Sequence, residues 1–372
     1  MHQINQPRYR NYITFLIIAP ILLLIGACST NEDEEQPNTL DNNQLVEIVT
    51  TSNIVGDWIK EIGQDHVSVS SLYPPGVDPH TYTSGPKDAA KIANANLIFN
   101  VGAEFESPSL QKLFDNATNT NSARVIDLGK SVDLLEYSDK EKHDDHDDHD
   151  DHDDDECDED DHKDHDDKEK HDDHDDHDCD EDDHKDHDDH SDHDHGEFDP
   201  HYWVDPVIAE NLITEISHAL IEFSPEHRED YERNAENYIL ELRELHTWIN
   251  DQVKQIPEEQ AVLITTHDSL QYFANRYGFE VLGAVIPDFS TEEEVSPADV
   301  KEIIDTIEEH SVPAIFADVN ENSSVSRMIS QETGATFVGD LHIGSLGALG
   351  TETDTYIKLM KKNVRIIVDA LT

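Results

Sequence analysis

Basic residues and cysteine are what this sequence has least of. Only 25 Lys and Arg stand against 85 Asp and Glu, giving a formal net charge of −60 over 372 residues. A surface so acidic repels phosphate backbones and anionic headgroups, which argues against nucleic acid and against charge-driven lipid binding. It suits a cationic partner, and it also suits a salty habitat; charge alone does not separate the two. Three cysteines cannot build a disulfide framework for a chain this long. No His-Glu-x-x-His run, no Gly-x-Ser-x-Gly elbow, no Walker loop and no Gly-rich dinucleotide fingerprint occurs. Nothing in the sequence asks for catalysis.

Apolar residues are nearly missing from one long stretch. From His143 to His195 the chain holds 28 Asp, 4 Glu, 4 Lys and 14 His. This tract alone carries −28, so the remainder carries −32 and is acidic in its own right. Such a segment has nothing to bury against the cost of ordering its backbone, so a disordered insert is expected over 139–196. Imidazole and carboxylate are both metal ligands, so the tract reads either as a weak metal collector or as a solvated linker. Cys157 and Cys179 both lie in it, each opening the same eleven residues, "CDEDDHKDHDD". Duplication accounts for the repeat; pairing of the two thiols, or metal binding by them, stays open.

At the N-terminus, Arg8 and Arg10 precede "YITFLIIAPILLLIGAC". The apolar run is short and interrupted by Pro20, which fits an export signal better than a membrane span. Gly26 and Ala27 directly before Cys28 resemble a bacterial lipobox. Residues 1–27 are therefore expected to be a signal peptide, Cys28 a lipidated mature N-terminus, and 28–44 a polar tether.

Two regions of the remaining chain alternate β-prone and helix-like runs with short connections. The first lies between Leu45 and Leu128, and the second follows Pro257. That rhythm predicts parallel sheets covered by helices. Between them, Tyr231, Ala235, Tyr238, Leu242, Leu245 and Ile249 fall at steps of three and four, one face of a single helix of about thirty residues. The expected fold is α/β, with two lobes, each a parallel-sheet α/β sandwich, joined by one long rigid helix. The boundaries are 45–223 for the first lobe, 224–256 for the linking helix and 257–372 for the second lobe.

Four positions at predicted strand ends carry metal-ligand side chains. His80 lies in the Pro- and Gly-stiffened loop "YPPGVDPHTY", and His201 in "FDPHYWVDP", which repeats the Asp-Pro-His triplet directly after the acidic tract. His267 ends the strand of "LITTHDSLQYFANRYG", and Asp340 closes that of "FVGDLHIGSL". Ligands of open α/β sheets gather beyond the carboxyl ends of strands. Each side chain has an ordinary alternative: solvated loop histidine, helix cap, or turn cap in the case of Asp340. His342, two residues beyond Asp340, is a possible competitor. Three imidazoles and a carboxylate suit Zn²⁺ in a closed tetrahedral site.

"PPGVDPHTY", "DPHYWVDP", "TTHDSLQYFANRYG" and "VGDL", in this order, resemble the metal-binding solute-binding proteins of bacterial ABC transporters for zinc and manganese. "ANLIFNVGAEFE" and "YERNAENYILEL" match that family as well, and the likeness covers about Leu45 to Leu371. It implies metal bound between two lobes, with His80, His201, His267 and Asp340 as ligands. Manganese-type members carry a carboxylate at the third position, where this chain has His267; the resemblance therefore points to Zn²⁺ ahead of Mn²⁺. Zinc-type members also often carry a His/Asp-rich loop where this chain has its tract. The implied protein is an extracytoplasmic, lipid-anchored, monomeric zinc receptor. It would hand its ion to a membrane permease and have no enzymatic activity. A surface metal buffer or adhesin without a transport role is the alternative, and a metal hydrolase would need a general base and an activated water.

Overall fold

Each of the two alternating regions builds a four-stranded, all-parallel sheet. The structure is a computed structural model that describes residues 45–121, 123–136, 198–292 and 294–372. The expected leader, Cys28, the tether and the tract with Cys157 and Cys179 lie outside the described residues. In the first sheet β1 (Val46–Thr50), β2 (Val67–Ser71), β3 (Leu97–Asn100) and β4 (Arg124–Asp127) run in the order β2-β1-β3-β4. In the second, β5 (Val262–His267), β6 (Glu280–Ile286), β7 (Ala314–Asp318) and β8 (Thr336–Leu341) run in the equivalent order β6-β5-β7-β8. The order reverses beside β1 and β3 in one sheet and beside β5 and β7 in the other, leaving a crevice at each reversal.

Local chemistry sets the helices that flank these strands. α1 (Asn53–Gly63) is capped by Ser52, whose hydroxyl accepts the Ile54 N–H at 3.1 Å. Asn53, the first residue of the helix, is turned to another use described below. α2 (Pro86–Asn94) opens on Pro86, with Asp88 accepting the Gly85 N–H. α3 (Pro108–Asn121) follows β3. α4 (Pro206–Phe223) starts with Asp205 as cap and Pro206 in the first turn. α6 (Gln271–Tyr277) ends on Gly278 at φ +80°, a left-handed stop that glycine adopts without side-chain clash. α7 (Pro297–His310) has a full capping box of Ser296 and Asp299, and α8 (Ser324–Thr333) follows β7.

The long helix is α5 (Arg228–Val253), 26 residues preceded by a 3₁₀ turn at Pro225–His227. At about 1.5 Å per residue it reaches about 39 Å. Tyr231, Ala235, Tyr238, Leu242, Leu245 and Ile249 are all buried along one face, as their spacing predicts. The C-terminal helix α9 (Tyr356–Ala370) also packs on α5. One apolar core then runs through both halves, from Ile48 and Trp58 through Leu242 to Phe316 and Val364. A smaller core, including Ile264, Val285, Ile315 and Ile329, lies within the second half. Leu45–Thr372 is accordingly a single compact unit.

Candidate metal centre

Three of the four side chains singled out in the sequence meet. His80 sits in the loop after β2, His201 just before the short 3₁₀ turn Tyr202–Val204, and His267 on the last residue of β5. His201 Nε2 lies 3.3 Å from His80 Nε2 and 3.4 Å from His267 Nε2. One ligand nitrogen of each lies within 4.8 Å of those of the other two. His201 and His267 are buried and His80 is half-buried.

Asp340 does not join them. Side chains alternate across a strand, and Leu341, fully buried, takes the inward direction at this point of β8. Asp340 therefore faces outward and is exposed. His342 does not join them either. Its backbone N–H and carbonyl are both held by the Asn363 amide side chain.

The two Asp-Pro-His triplets fold alike. Asp78 Oδ1 accepts the His80 N–H at 3.0 Å, and Asp199 Oδ1 accepts the His201 N–H at 2.8 Å. These are Asx-type turns, in which a short acidic side chain replaces a backbone acceptor two residues on. Each aspartate then does something further. Asp199 Oδ1 also lies 2.9 Å from His201 Nδ1, and Asp78 Oδ2 accepts the Thr291 hydroxyl at 2.6 Å from the other half of the molecule.

His267 has its own carboxylate. Glu321, in the turn after β7, places Oε2 2.7 Å from His267 Nδ1, while its Oε1 accepts the Asp318 N–H. Two of the three imidazoles thus have Nδ1 against a buried carboxylate and Nε2 pointing at the common centre. A partner on the far nitrogen fixes the tautomer and ring orientation of a metal-ligating histidine. The repeated triplet was the sequence signal for Asp199 and Asp78. Glu321 had none, because no local pattern links it to a histidine 54 residues away.

The charge states follow from burial. Burial, with His267 and His201 nearby, holds His80 well below the usual imidazole range. Burial and then the His267 charge do the same to His201. Burial also pulls on His267, but the hydrogen bond and charge of Glu321, with Asp318 and Asp78, outweigh it and raise this imidazole above its ordinary value. Burial pushes Asp199 up to about 7, against the opposing His201 N–H and His267 charge. The lowering at His80 and His201 favours the neutral rings whose lone pairs can bind a cation, while an ion bound at His267 Nε2 must displace the proton that Glu321 favours there.

Aromatic rings close the walls. The Phe105 and His80 ring centres are 5.2 Å apart, and those of Trp203 and His201 5.3 Å. Phe105 is presented by three successive left-handed residues, Gly102 (φ +77°), Ala103 (φ +50°) and Glu104 (φ +60°). The two non-glycine members store strain that the surroundings must hold. Glu106 does much of that holding: its carboxylate accepts the Val101 and Gly102 N–H groups and the Thr51 hydroxyl. That carboxylate bridges the chain just beyond the ends of β1 and β3.

The chain matches a known family. The ZnuA model, "Zinc-uptake complex component A periplasmic", matches residues 48–370. The chain belongs to this family. Its members are metal-binding, substrate-binding components of ABC transporters and not enzymes. The manganese-binding lipoprotein MntA of Halalkalibacterium halodurans is 26% identical over 360 residues, 97% of this chain and 99% of its own length. The manganese ABC transporter substrate-binding lipoprotein PsaA of Streptococcus mitis is 24% identical, over 96% of this chain and 97% of its own. Among solved structures, the periplasmic zinc binding protein TroA from Treponema pallidum superposes with a TM-score of 0.68. That match has 23% identity and covers 88% of this chain and 100% of the other, which shows the shared two-lobed fold. These names place manganese beside zinc, so the expected ranking of Zn²⁺ above Mn²⁺ gains no support from the relatives. No helix among the described residues is long and apolar enough to cross a membrane.

Proposed function

We propose that this protein captures Zn²⁺ outside the cytoplasm and delivers it to the permease of an ABC transporter. The carrying observation is the convergence of three imidazole Nε2 atoms. Ligands at about 2.0–2.1 Å from a tetrahedral ion lie about 3.3–3.4 Å from one another. The separations of 3.3 and 3.4 Å along His80–His201–His267 have that value. Nitrogen donors suit zinc, whereas manganese favours oxygen. The outward position of Asp340 makes the donor set richer in nitrogen than the sequence suggested. His80, His201 and His267 are the protein ligands in this reading, and water or a nearby carboxylate completes the shell.

A manganese receptor is the second reading, favoured by the printed names of MntA and PsaA. Lipidation of Cys28 anchors the receptor, in keeping with relatives named lipoproteins. The body acts as a monomer, and the acidic tract collects metal without forming the tight site. Titration of the full chain with Zn²⁺ against a competing chelator, repeated with Mn²⁺, tests the assignment. His80→Ala combined with His201→Ala removes the tight one-to-one component. Retention of that component would end the assignment, and Mn²⁺ displacing Zn²⁺ at equal concentration would favour the second reading.

A further inference from the structure

A second group of metal-ligand side chains lies at the start of the linking helix. His66 ends the 3₁₀ turn Gln64–His66 between α1 and β2, His227 ends the turn that leads into α5, and Asp230 is in the first turn of α5. One ligand atom from each lies within 4.8 Å of those of the other two. His66 Nε2 is 3.1 Å from Asp230 Oδ2, and the two imidazoles are stacked with ring centres 3.7 Å apart. The Tyr231 ring, fully buried, stands edge-on to both at 5.8 and 6.0 Å and forms the floor. Arg233 pairs with Asp230 through Oδ1, which orients the carboxylate and leaves Oδ2 toward the histidines. None of these residues belongs to the central cluster.

We propose that His66, His227 and Asp230 form a second, weaker site for a divalent transition metal of the zinc class. Two imidazoles and one carboxylate are a common ligand set for zinc, with remaining positions taken by water. All three side chains are half-buried, so one side of the site is open to solvent. Parallel stacked rings direct their lone pairs side by side, so shared coordination needs the His227 ring to turn toward Asp230. The bound ion then ties the α1–β2 turn to the start of α5. It stiffens the first half of the molecule against the helix without touching the transported ion.

The site is separable from the acidic tract by a measurement that reads each peptide on its own. Hydrogen exchange of the full chain is followed by mass spectrometry in buffered free Zn²⁺. At a free concentration ten times the site's Kd, exchange through local opening in peptides 60–70 and 224–236 slows by about elevenfold. His227→Asn and, separately, His66→Gln abolish this slowing while Zn²⁺-dependent protection around His267 persists. No slowing in these peptides up to millimolar Zn²⁺, or the same slowing in both variants, overturns the proposal. Loss of protection around His267 in the unaltered chain would instead count against the central site.

Discussion

At the scale of single residues, the centre works through pairs in which one side chain binds and another aims it. Glu321 is the aiming partner of His267, and it is itself buried. Losing such a partner costs about 10–100-fold in metal affinity. Glu321→Gln is therefore expected to weaken Zn²⁺ binding by about that factor while leaving the fold intact, as a chelator-competition titration with a circular dichroism control would read. An unchanged affinity would show that His267 is oriented by packing alone. Residues also mark where sequence reading stops. His80 and His267 were legible because they stand at the ends of predicted strands, and His201 because it shares the Asp-Pro-His triplet with His80. Asp340 looked equivalent to them. What displaced it is the alternation of β8, because the inward direction belongs to Leu341. A one-residue question of facing cannot be settled from a strand whose exact register is unknown.

At the scale of elements, helix ends carry more than local capping. Asp57, inside α1, accepts the Tyr356 N–H at 2.8 Å and so serves the start of α9. Burial first, opposed by that hydrogen bond, raises its carboxyl to about 6 from the ordinary 3.8. A group raised in this way favours folding in its protonated form. Its contribution is full below about pH 3.8 and is lost as pH rises through about 6. Asp57→Asn keeps an oxygen acceptor and removes the buried charge. It is expected to raise stability at pH 8 by about 2–3 kcal/mol, and the gain should vanish near pH 4, as paired denaturant melts would show. Asn53 likewise leaves its own helix. It donates to Ser345 Oγ at 3.0 Å and accepts the Leu346 N–H at 2.8 Å, joining α1 to the loop after β8. Asn53→Ala strands a buried amide and is expected to cost about 1–3 kcal/mol, measurable as a lower midpoint with unchanged m-value. The strands and most helices were readable from periodicity and caps. The Asn53 contact was not, because its partner lies 293 residues away.

At the scale of the whole molecule, the two sheets are not independent bodies on a strut. The linking helix was visible as a period of three and four. Its place between the two halves was legible too; what covers it was not, since periodicity shows which face is apolar and not what packs there. α9 returns to α5 and to α1, the Trp203 indole N–H reaches the Ile343 carbonyl at 2.8 Å, and the Tyr356 hydroxyl reaches the Trp203 carbonyl at 2.7 Å. With one apolar core spanning both halves, scanning calorimetry of the metal-free protein should give one main transition for 45–372. Two well-separated peaks would mean the shared core contributes little.

The described residues on either side of 137–197 are fastened together in a narrow neck. Glu136 and Phe198 pair as an antiparallel bridge, the Asp199 N–H reaches the Leu135 carbonyl at 2.9 Å, and the Tyr272 hydroxyl links the Leu135 N–H to the Asp199 carbonyl. Two residues beyond that clasp stands His201. Whatever lengthens, shortens or duplicates residues 137–197 meets the same pair of fastened ends, so evolution can rewrite the insert without moving a ligand.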